Sequence, residues 1–516
     1  MRSVKCSLIV FSLLGLLFLS NCSDTPEEKE IYTLVTYNVE NLFDADGVAI
    51  FDDYKPEDRE GNSQYTPRDV LTKIRNTVKV VSQYNDGKGP DIIAMVELES
   101  DQTGEMLYEE SEASDFLEDY EDMSLSQMLG ESFNDRIADL PSELLLLKGM
   151  EDAGLEGYQI HVGNSMSEDG EPLTVQKNVL FSRFPINRDK SRLHPVENAR
   201  SILESHLDIK GRDLIVFTNH WKSGAGSEEM EEIRKQNAGV LRKRIDELRK
   251  ENFYVDFVIA GDLNSHFNQR IRTYFPETAI IDVLGSTGNE IDVSRADTSK
   301  VYNLWYELPP ADRGSDTYRG EWGTLMHILV SGGMYDIRGL YYIDNSFEVG
   351  DFGFNTYSTS GQPKRWSSVF DGSGYSDHLP VSMKFTYATI QELKEGKGMR
   401  LSNPSTTDDY LRLTREVRYN LPQEYLTEEQ FLSSDPRTVS EYYDEYVYLG
   451  ARIDEGKKLM VGGINYDVYS PAFDIDSLLF QDLSPGDSVR FYGRWSQYRG
   501  NWQFIIEDPS FIETDL

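Results

Sequence analysis

Cysteine is almost absent: the 516 residues contain two, Cys6 and Cys22, both near the N-terminus. The body of the chain therefore has no disulfide to staple it and no thiolate set for a structural zinc, so sheer size must supply the core. Long apolar runs are equally scarce. The one that stands out, Leu8 to Leu19, is too short to cross a bilayer comfortably. Positive charge is in short supply, 51 Lys and Arg against 89 Asp and Glu, a formal net charge of -38. Such a surface repels anionic polymers at long range and argues against a histone-like or sliding DNA binder. A polyanionic substrate would have to be drawn by a local feature such as a bound cation.

A chain of this length predicts two or three domains. Met1-Arg2-Ser3-Val4-Lys5 places two positive charges ahead of the apolar run, the layout of an export signal. Leu19-Ser20-Asn21-Cys22 resembles the lipobox of bacterial lipoproteins. That resemblance implies a signal peptide over 1–22, a lipid anchor at Cys22 tying the chain to a membrane, and an outer-membrane or cell-surface location, periplasmic if not surface-exposed. Asn21 departs from the small residue usual before that cysteine, and a plain secretory signal is the alternative. Residues 23–30 read as a polar tether.

From Ile31 onward the pattern alternates strand and helix. Tyr32 to Tyr37 is a β-rich run ending in Asn38-Val39-Glu40-Asn41. Thr66-Pro67 reads as an N-cap with proline at the first helical position, followed by Val70, Ile74, Val78 and Val81 at helical spacing. Asp91 to Glu97 is a buried-type strand closing on a carboxylate. Between Glu99 and Asp122 there are eleven acidic residues and no Lys or Arg. This reads as a solvated insertion, and the EF-hand spacing of a calcium loop is absent. Leu214 to His220 is another strand, and Ser227 caps a long helix whose apolar face is Met230, Ile233, Leu241, Ile245 and Leu248.

Asp256 to Asn264 organises the rest. Four apolar residues closed by Gly261 read as a strand buried on both faces, with Asp262 and Asn264 where the strand runs out, the place where open α/β sheets bind ligands. A strand followed by an Asx turn is the plainer reading. Yet Asn38, Glu40, Glu97, His220, Asp377 and His378 also stand at or just beyond strand ends. Hard oxygen donors among them suit Mg²⁺, Mn²⁺ or Ca²⁺.

Five stretches occur in order: Tyr37-Asn38-Val39-Glu40-Asn41, Pro90 to Glu97, Asn219-His220-Trp221-Lys222-Ser223, Gly261-Asp262-Leu263-Asn264 and Ser376-Asp377-His378. Together they resemble the endonuclease/exonuclease/phosphatase superfamily, the DNase I-like fold. The resemblance implies an α/β four-layer α-β-β-α sandwich over 31–388. It implies Glu97 as main metal ligand with Asn38 and Glu40 beside it and Asp377 nearby, and a divalent ion, Mg²⁺ with Mn²⁺ or Ca²⁺ as alternatives. Asp262 and Asn264 would orient water and phosphate, His220 and His378 would share acid–base work, and Lys222 would bind the substrate. The activity implied is a metal-dependent phosphodiesterase, foremost an extracellular nuclease acting on DNA or RNA. A phosphatase or phospholipase of the same fold, or a surface binding protein without turnover, are the alternatives.

One position departs from the family. A carboxylate usually stands where this chain has Met326, in Leu325-Met326-His327-Ile328, and orients the last histidine. Asp316 or Glu321 substitutes, His327 has moved in, or activity is reduced. Beyond a linker at 389–438 with a short capped helix at Thr427-Glu428-Glu429-Gln430, residues 439–516 are all strand and turn and resemble a smaller OB-like β-barrel. Tyr492, Trp495, Tyr498 and Trp502 are either its filling or a stacking platform, and alternate-position aromatics favour filling.

Overall fold

The structure, a computed structural model, describes residues 30–48, 66–100, 117–167, 172–289, 292–293, 300–335, 339–366, 374–387, 425–470, 475–480, 483–506 and 511–514. The export signal, most of the acidic stretch and residues 388–424 lie outside them.

Strand β1 (Tyr32–Leu42) pairs in parallel with β2 (Ile92–Glu99), and α1 (Pro67–Val81) makes the crossover between them. The helix starts as its sequence dictates. Thr66 and Asp69 close a capping box, and Val70, Ile74, Val78 and Val81 turn inward. Helix α2 (Ser142–Asp152) packs beside it, followed by β3 (Gln159–Val162) and β4 (Gln176–Ser182). A second unit follows with β5 (Arg192–His194), β6 (Ile202–Ile209) and β7 (Arg212–His220). Here α3 (Glu228–Glu251) leads to β8 (Phe257–Asp262), which lies parallel to β7. The remaining strands are β9 (Ser286–Thr287), β10 (Val301–Asn303), the hairpin β11 (Asp316–Tyr318) and β12 (Glu321–Gly323), β13 (Met326–Val330), β14 (Leu340–Tyr342), β15 (Glu348–Val349) and β16 (Val381–Tyr387). Apart from the β11–β12 hairpin, which is a two-stranded sheet of its own, they complete two sheets, ordered β14-β16-β1-β2-β4-β3 with β15 also on β16, and β5-β6-β7-β8-β13-β10-β9.

The alternation of side chains along each strand builds the layers. Leu34, Ile92 and Ala94 of the first sheet meet Leu214, Val216, Val258 and Ala260 of the second in one core. Their neighbours Val35, Tyr37, Ile93 and Met95 face α1 and α2, while Ile215, Phe217, Phe257 and Ile259 face α3. The result is a helix–sheet–sheet–helix sandwich.

Helix α3 departs from its expected face. Leu241, Ile245 and Leu248 are buried, but Met230 and Ile233 are only partly covered, and Glu231 with Arg234 are buried in their place. The two form an ion pair of 2.6 Å, and the Arg234 guanidinium donates to the carbonyls of Lys222, Gly224, Ala225 and Ser227. A buried guanidinium with five donors satisfies a tight loop better than an apolar side chain would.

The C-terminal strands β18 (Tyr446–Ile453), β19 (Leu459–Val461), β20 (Ile464–Tyr469), β21 (Ser488–Tyr498) and β22 (Asn501–Ile505) close into a five-stranded barrel, because β18 pairs with both β19 and β21. Strands β20 and β22 are parallel, and a helix, α5 (Ile475–Phe480), connects β20 to β21, giving an OB-like barrel. The short helix expected in the linker exists as α4 (Glu428–Phe431) with its Thr427–Gln430 capping box, but it belongs to the barrel. β17 (Leu426–Thr427) pairs with β18, and Phe431 is buried edge-on against Trp495. Trp495 is fully buried and Tyr492 nearly so; Trp502 stacks on Trp495 at 4.8 Å, and only Tyr498 of the four aromatics stands well exposed. Three of them therefore pack as filling.

Gly261 pairs with Asn219 one residue before the ends of β8 and β7. At its φ of 134° an added Cβ would lie 1.9 Å from the carbonyl oxygen of Asn219. Gly261→Ala is expected to destabilise the domain by about 2–4 kcal/mol through strain and strand separation, read as a lowered midpoint in urea unfolding. An unchanged midpoint would mean the two strands can part freely there.

Candidate active site

The alternation that fills the inter-sheet core also ends in chemistry. Continuing inward-facing positions by twos places Asn38 at the end of β1, His220 at the end of β7 and Asp262 at the end of β8, all nearly fully buried. Glu97 has the opposite parity and would face α1. It reaches the cleft because the ladder slips between Val96 and Leu98, with Glu97 itself in the left-handed region at φ 67°. β1 slips at the same level, between Asn38 and Leu42.

The Asn38 amide bridges the two sheets. Its Nδ2 donates to Glu97 Oε1 at 2.8 Å and to Asp262 Oδ2 at 3.1 Å, while its Oδ1 accepts from the Glu40 N–H at 2.9 Å. His220 Nε2 lies 3.6 Å from Glu97 Oε1 and 3.9 Å from Asp262 Oδ2. His378 Nε2 lies 3.6 Å from Asp262 Oδ2 and 3.8 Å from Asp377 Oδ1. Asp262 makes the turn its sequence suggested. Its Oδ1 accepts from the Asn264 N–H at 2.8 Å, an Asx turn, and its Oδ2 turns to the cluster. Asn264 Nδ2 donates to the Trp221 carbonyl, so its side chain braces the loop that carries Lys222. Lys222 is partly exposed at the start of that loop.

Among the described residues, Glu97, His220 and Asp262 offer three ligand atoms within 4.8 Å of one another. Two carboxylates and an imidazole at that spacing fit a hard divalent cation. His220 Nδ1, His378 Nδ1 and Asp377 Oδ1 are buried atoms left without a hydrogen bond. Glu40 and Asp377 stand outside that three-residue set, although the charge of Asp377 reaches Glu97. Glu40 accepts from the Trp366 N–H at 2.7 Å and lies 3.5 Å from Arg365 Nε; Asp377 lies 3.2 Å from Arg365 Nη2.

Electrostatics separates the two histidines. Burial, with Arg200 and His378 nearby, holds His220 well below its ordinary value and neutral. Burial also opposes the charge on His378, but Asp377, Asp262, Asp316 and Glu97 overcome it and raise the imidazole to about 9. The two imidazoles of one cleft thus favour different charge states. Burial, then the charge of Asp377, raises Glu97 to about 7.

Met326 is fully buried in the inter-sheet core, opposite Asp262 in the ladder. Of the three groups expected to compensate, Asp316 is the one near His378, joined to it by a β-bridge. Its Oδ1 accepts from Leu325 N and Ser315 Oγ, and its carboxylate rests on Gly323, where a Cβ would come within 2.1 Å. Glu321 lies 3.6 Å from Arg272 instead. His327 is a core histidine, bonding Ser265 O at 2.8 Å, and burial lowers it to about 4.

Three cations escaped the sequence reading. Arg200 bonds Gln176 Oε1 at 2.6 Å and the Trp221 carbonyl, within the field of Glu97 and Asp262. Arg365 stands at the Asp377 side. Lys73 of α1 is buried with no hydrogen bond to its Nζ, which lies 4.7 Å from the Trp366 ring. No motif marks any of them; Lys73 alone had a signal, lying on the inward face of α1 one residue before Ile74.

Fold and site define a four-layer α/β domain with a cleft of acids and imidazoles at parallel strand ends. Residues 181–387 match the model of the Endonuclease/Exonuclease/phosphatase family. No curated protein matches the sequence. Similar solved structures include an endonuclease/exonuclease/phosphatase from Beutenbergia cavernae, 14% identical, covering 70% of this chain and 72% of that one with a TM-score of 0.37. An endonuclease/exonuclease/phosphatase family protein from Leptotrichia buccalis is 13% identical over 69% of this chain and 99% of its own, TM-score 0.38. TDP2 from D. rerio, complexed with a single-strand DNA product, is 12% identical over 69% and 99%, TM-score 0.36.

Metal ligands must be deprotonated, and Glu97 holds its proton up to about 7. Mn²⁺ affinity is therefore expected to weaken by about tenfold per pH unit below 7, with roughly one proton released, and to level off above it. Calorimetric titration at pH 6 and 8 checks this. An affinity independent of pH over that range would remove Glu97 from the ligand set.

Proposed function

We propose that the protein is an exported, lipid-anchored, divalent-metal-dependent phosphodiester hydrolase acting on nucleic acid. The observation that carries the reaction is the pairing of a neutral His220 with a cationic His378 across the buried carboxylates Glu97 and Asp262.

Glu97, Asp262 and His220 would hold the cation, with Asn38 keeping the two carboxylates apart. Held there, a divalent cation supplies positive charge to the phosphoryl oxygens as negative charge develops on them. His378, when protonated, contributes a second positive group that hydrogen-bonds a phosphoryl oxygen or gives its proton to the leaving alkoxide. Asp262, turned towards both imidazoles, orients the attacking water and accepts its proton. Asp377, Asp262 and Asp316 favour the charged form of His378; Asp316 supplies charge in place of the carboxylate absent at Met326, without a hydrogen bond that would orient the ring. Arg200 and Lys222 line the approach with positive charge in an otherwise acidic chain.

Nucleic acid is favoured over a small phosphoester by these flanking cations, which suit a substrate with several phosphates. Export and anchoring rest on Met1 to Cys22 and would place the activity at the outer membrane or cell surface.

Wild type is expected to hydrolyse bis-p-nitrophenyl phosphate and to nick plasmid DNA in Mg²⁺ or Mn²⁺. Glu97→Gln and His220→Ala should each lose about a hundredfold or more of kcat with an unchanged melting temperature. Full activity in either variant would take that residue out of the site. Turnover of phosphomonoesters or lipids alone would reassign the substrate, and metal binding without any turnover would favour a surface binding protein.

A further inference from the structure

We propose that Arg365 is a substrate-binding residue that holds the phosphate next to the one being cut, and that Glu40 and Asp377 serve to hold its guanidinium; the inference rests on the phosphodiesterase reading above. The acids of the cleft differ in what they face. Glu97 and Asp262 face the imidazoles and Glu40 faces Arg365, while Asp377 reaches both Arg365 and His378.

The backbone at Arg365 is seated on two sides. The Trp366 N–H donates to Glu40 Oε2 at 2.7 Å, which ties the segment to the end of β1. Behind it, Gly374 packs so closely that a Cβ there would lie 2.2 Å from the Arg365 carbonyl oxygen and 2.7 Å from Trp366 Cα. Asn76 of α1 in turn donates to the Gly374 carbonyl at 2.7 Å. The main chain that carries the guanidinium is thus fixed before any ligand arrives, which lowers the entropic cost of binding.

The guanidinium itself is not used up. Half of the side chain, 50%, is exposed. Its contacts to Asp377 and Glu40, 3.2 and 3.5 Å, are longer than the roughly 2.7–2.9 Å of tight charge-assisted bonds, so donors remain for an incoming anion. An exposed pair at such distances adds little stability, so folding alone does not account for the arrangement. A planar fork of donors suits phosphate, and a chain with a net charge of -38 needs local cations to receive a polyanion.

Position selects which phosphate. Asp377 stands between the two cations, 3.2 Å from Arg365 Nη2 and 3.8 Å from His378 Nε2. Arg365 is therefore one carboxylate's width outside the imidazole pair, where a neighbouring phosphate of a strand would lie. The substrate class that follows is an oligonucleotide or other ester with consecutive phosphates.

The test compares kcat/KM on bis-p-nitrophenyl phosphate, with its single phosphate, and on a single-stranded 12-residue oligothymidylate. Wild type, R365A, R365K and the neighbouring-charge control K364A are assayed, and melting temperatures verify folding. In R365A the ratio of oligonucleotide to bis-p-nitrophenyl phosphate efficiency should fall by about tenfold or more, chiefly through KM, and the salt dependence of oligonucleotide binding should drop by about one phosphate contact. R365K should recover part of the loss, and K364A should keep the wild-type ratio. An unchanged ratio in R365A overturns the inference, as does a several-fold tightening of Mn²⁺ binding, which would make Arg365 a stand-in for the metal. Wild type that cleaves bis-p-nitrophenyl phosphate but no oligonucleotide overturns the inference alone; wild type that cleaves neither overturns the phosphodiesterase reading beneath it.

Discussion

The Asn38 amide, donating at once to Glu97 on one sheet and Asp262 on the other, is the contact on which the cleft depends. Two carboxylates facing each other between packed sheets repel and are costly to bury unless something compensates them. The amide does so locally, and the cationic His378 does so from the side. What remains is a concentrated negative site in a dry wall, which is the environment a divalent cation needs and a bare carboxylate pair resists.

Both halves of the domain solve the same problem the same way. Each has a parallel pair joined by a helix, β1 with β2 and β7 with β8, and each presents polar groups at the ends of its strands. Stacking the two sheets brings those ends together. Glu97 is left-handed at those ends, as are Glu40, Asn41 and Asn264, and Gly261 approaches Asn219 closely. Strain at such points is common where a site must be held open by a rigid frame.

Much of this was legible from residues alone. Period-two runs such as Leu34-Thr36-Asn38 and Val258-Ala260-Asp262 announce both the buried strand and the inward polar end. Period cannot place Glu97, whose parity points away from the cleft until the ladder slips; the family motif supplied it. Glu40 followed the same motif, yet the structure gives its carboxylate to Trp366 and Arg365, a long-range contact that local pattern does not encode. Arg200, Arg365 and Lys73 were missed for the same reason, since each comes from a separate segment and only folding brings it to the site. In α3 the apolar face was read too far towards its start, because the Glu231–Arg234 pair is buried on behalf of the neighbouring loop. In the barrel, alternation gave the filling role of Trp495, but the attachment of Phe431 depends on a pairing across residues the pattern treats as linker.

The arrangement implies that the inner acids receive the cation and the outer acids hold an arginine. Locating Mn²⁺ by its anomalous scattering in a crystal of the mature chain tests that division most directly. The account predicts a peak within about 2.2 Å of a Glu97 carboxylate oxygen and close to Asp262, with Arg365 still against Asp377. A peak between Glu40 and Asp377, with Arg365 driven out, would contradict it.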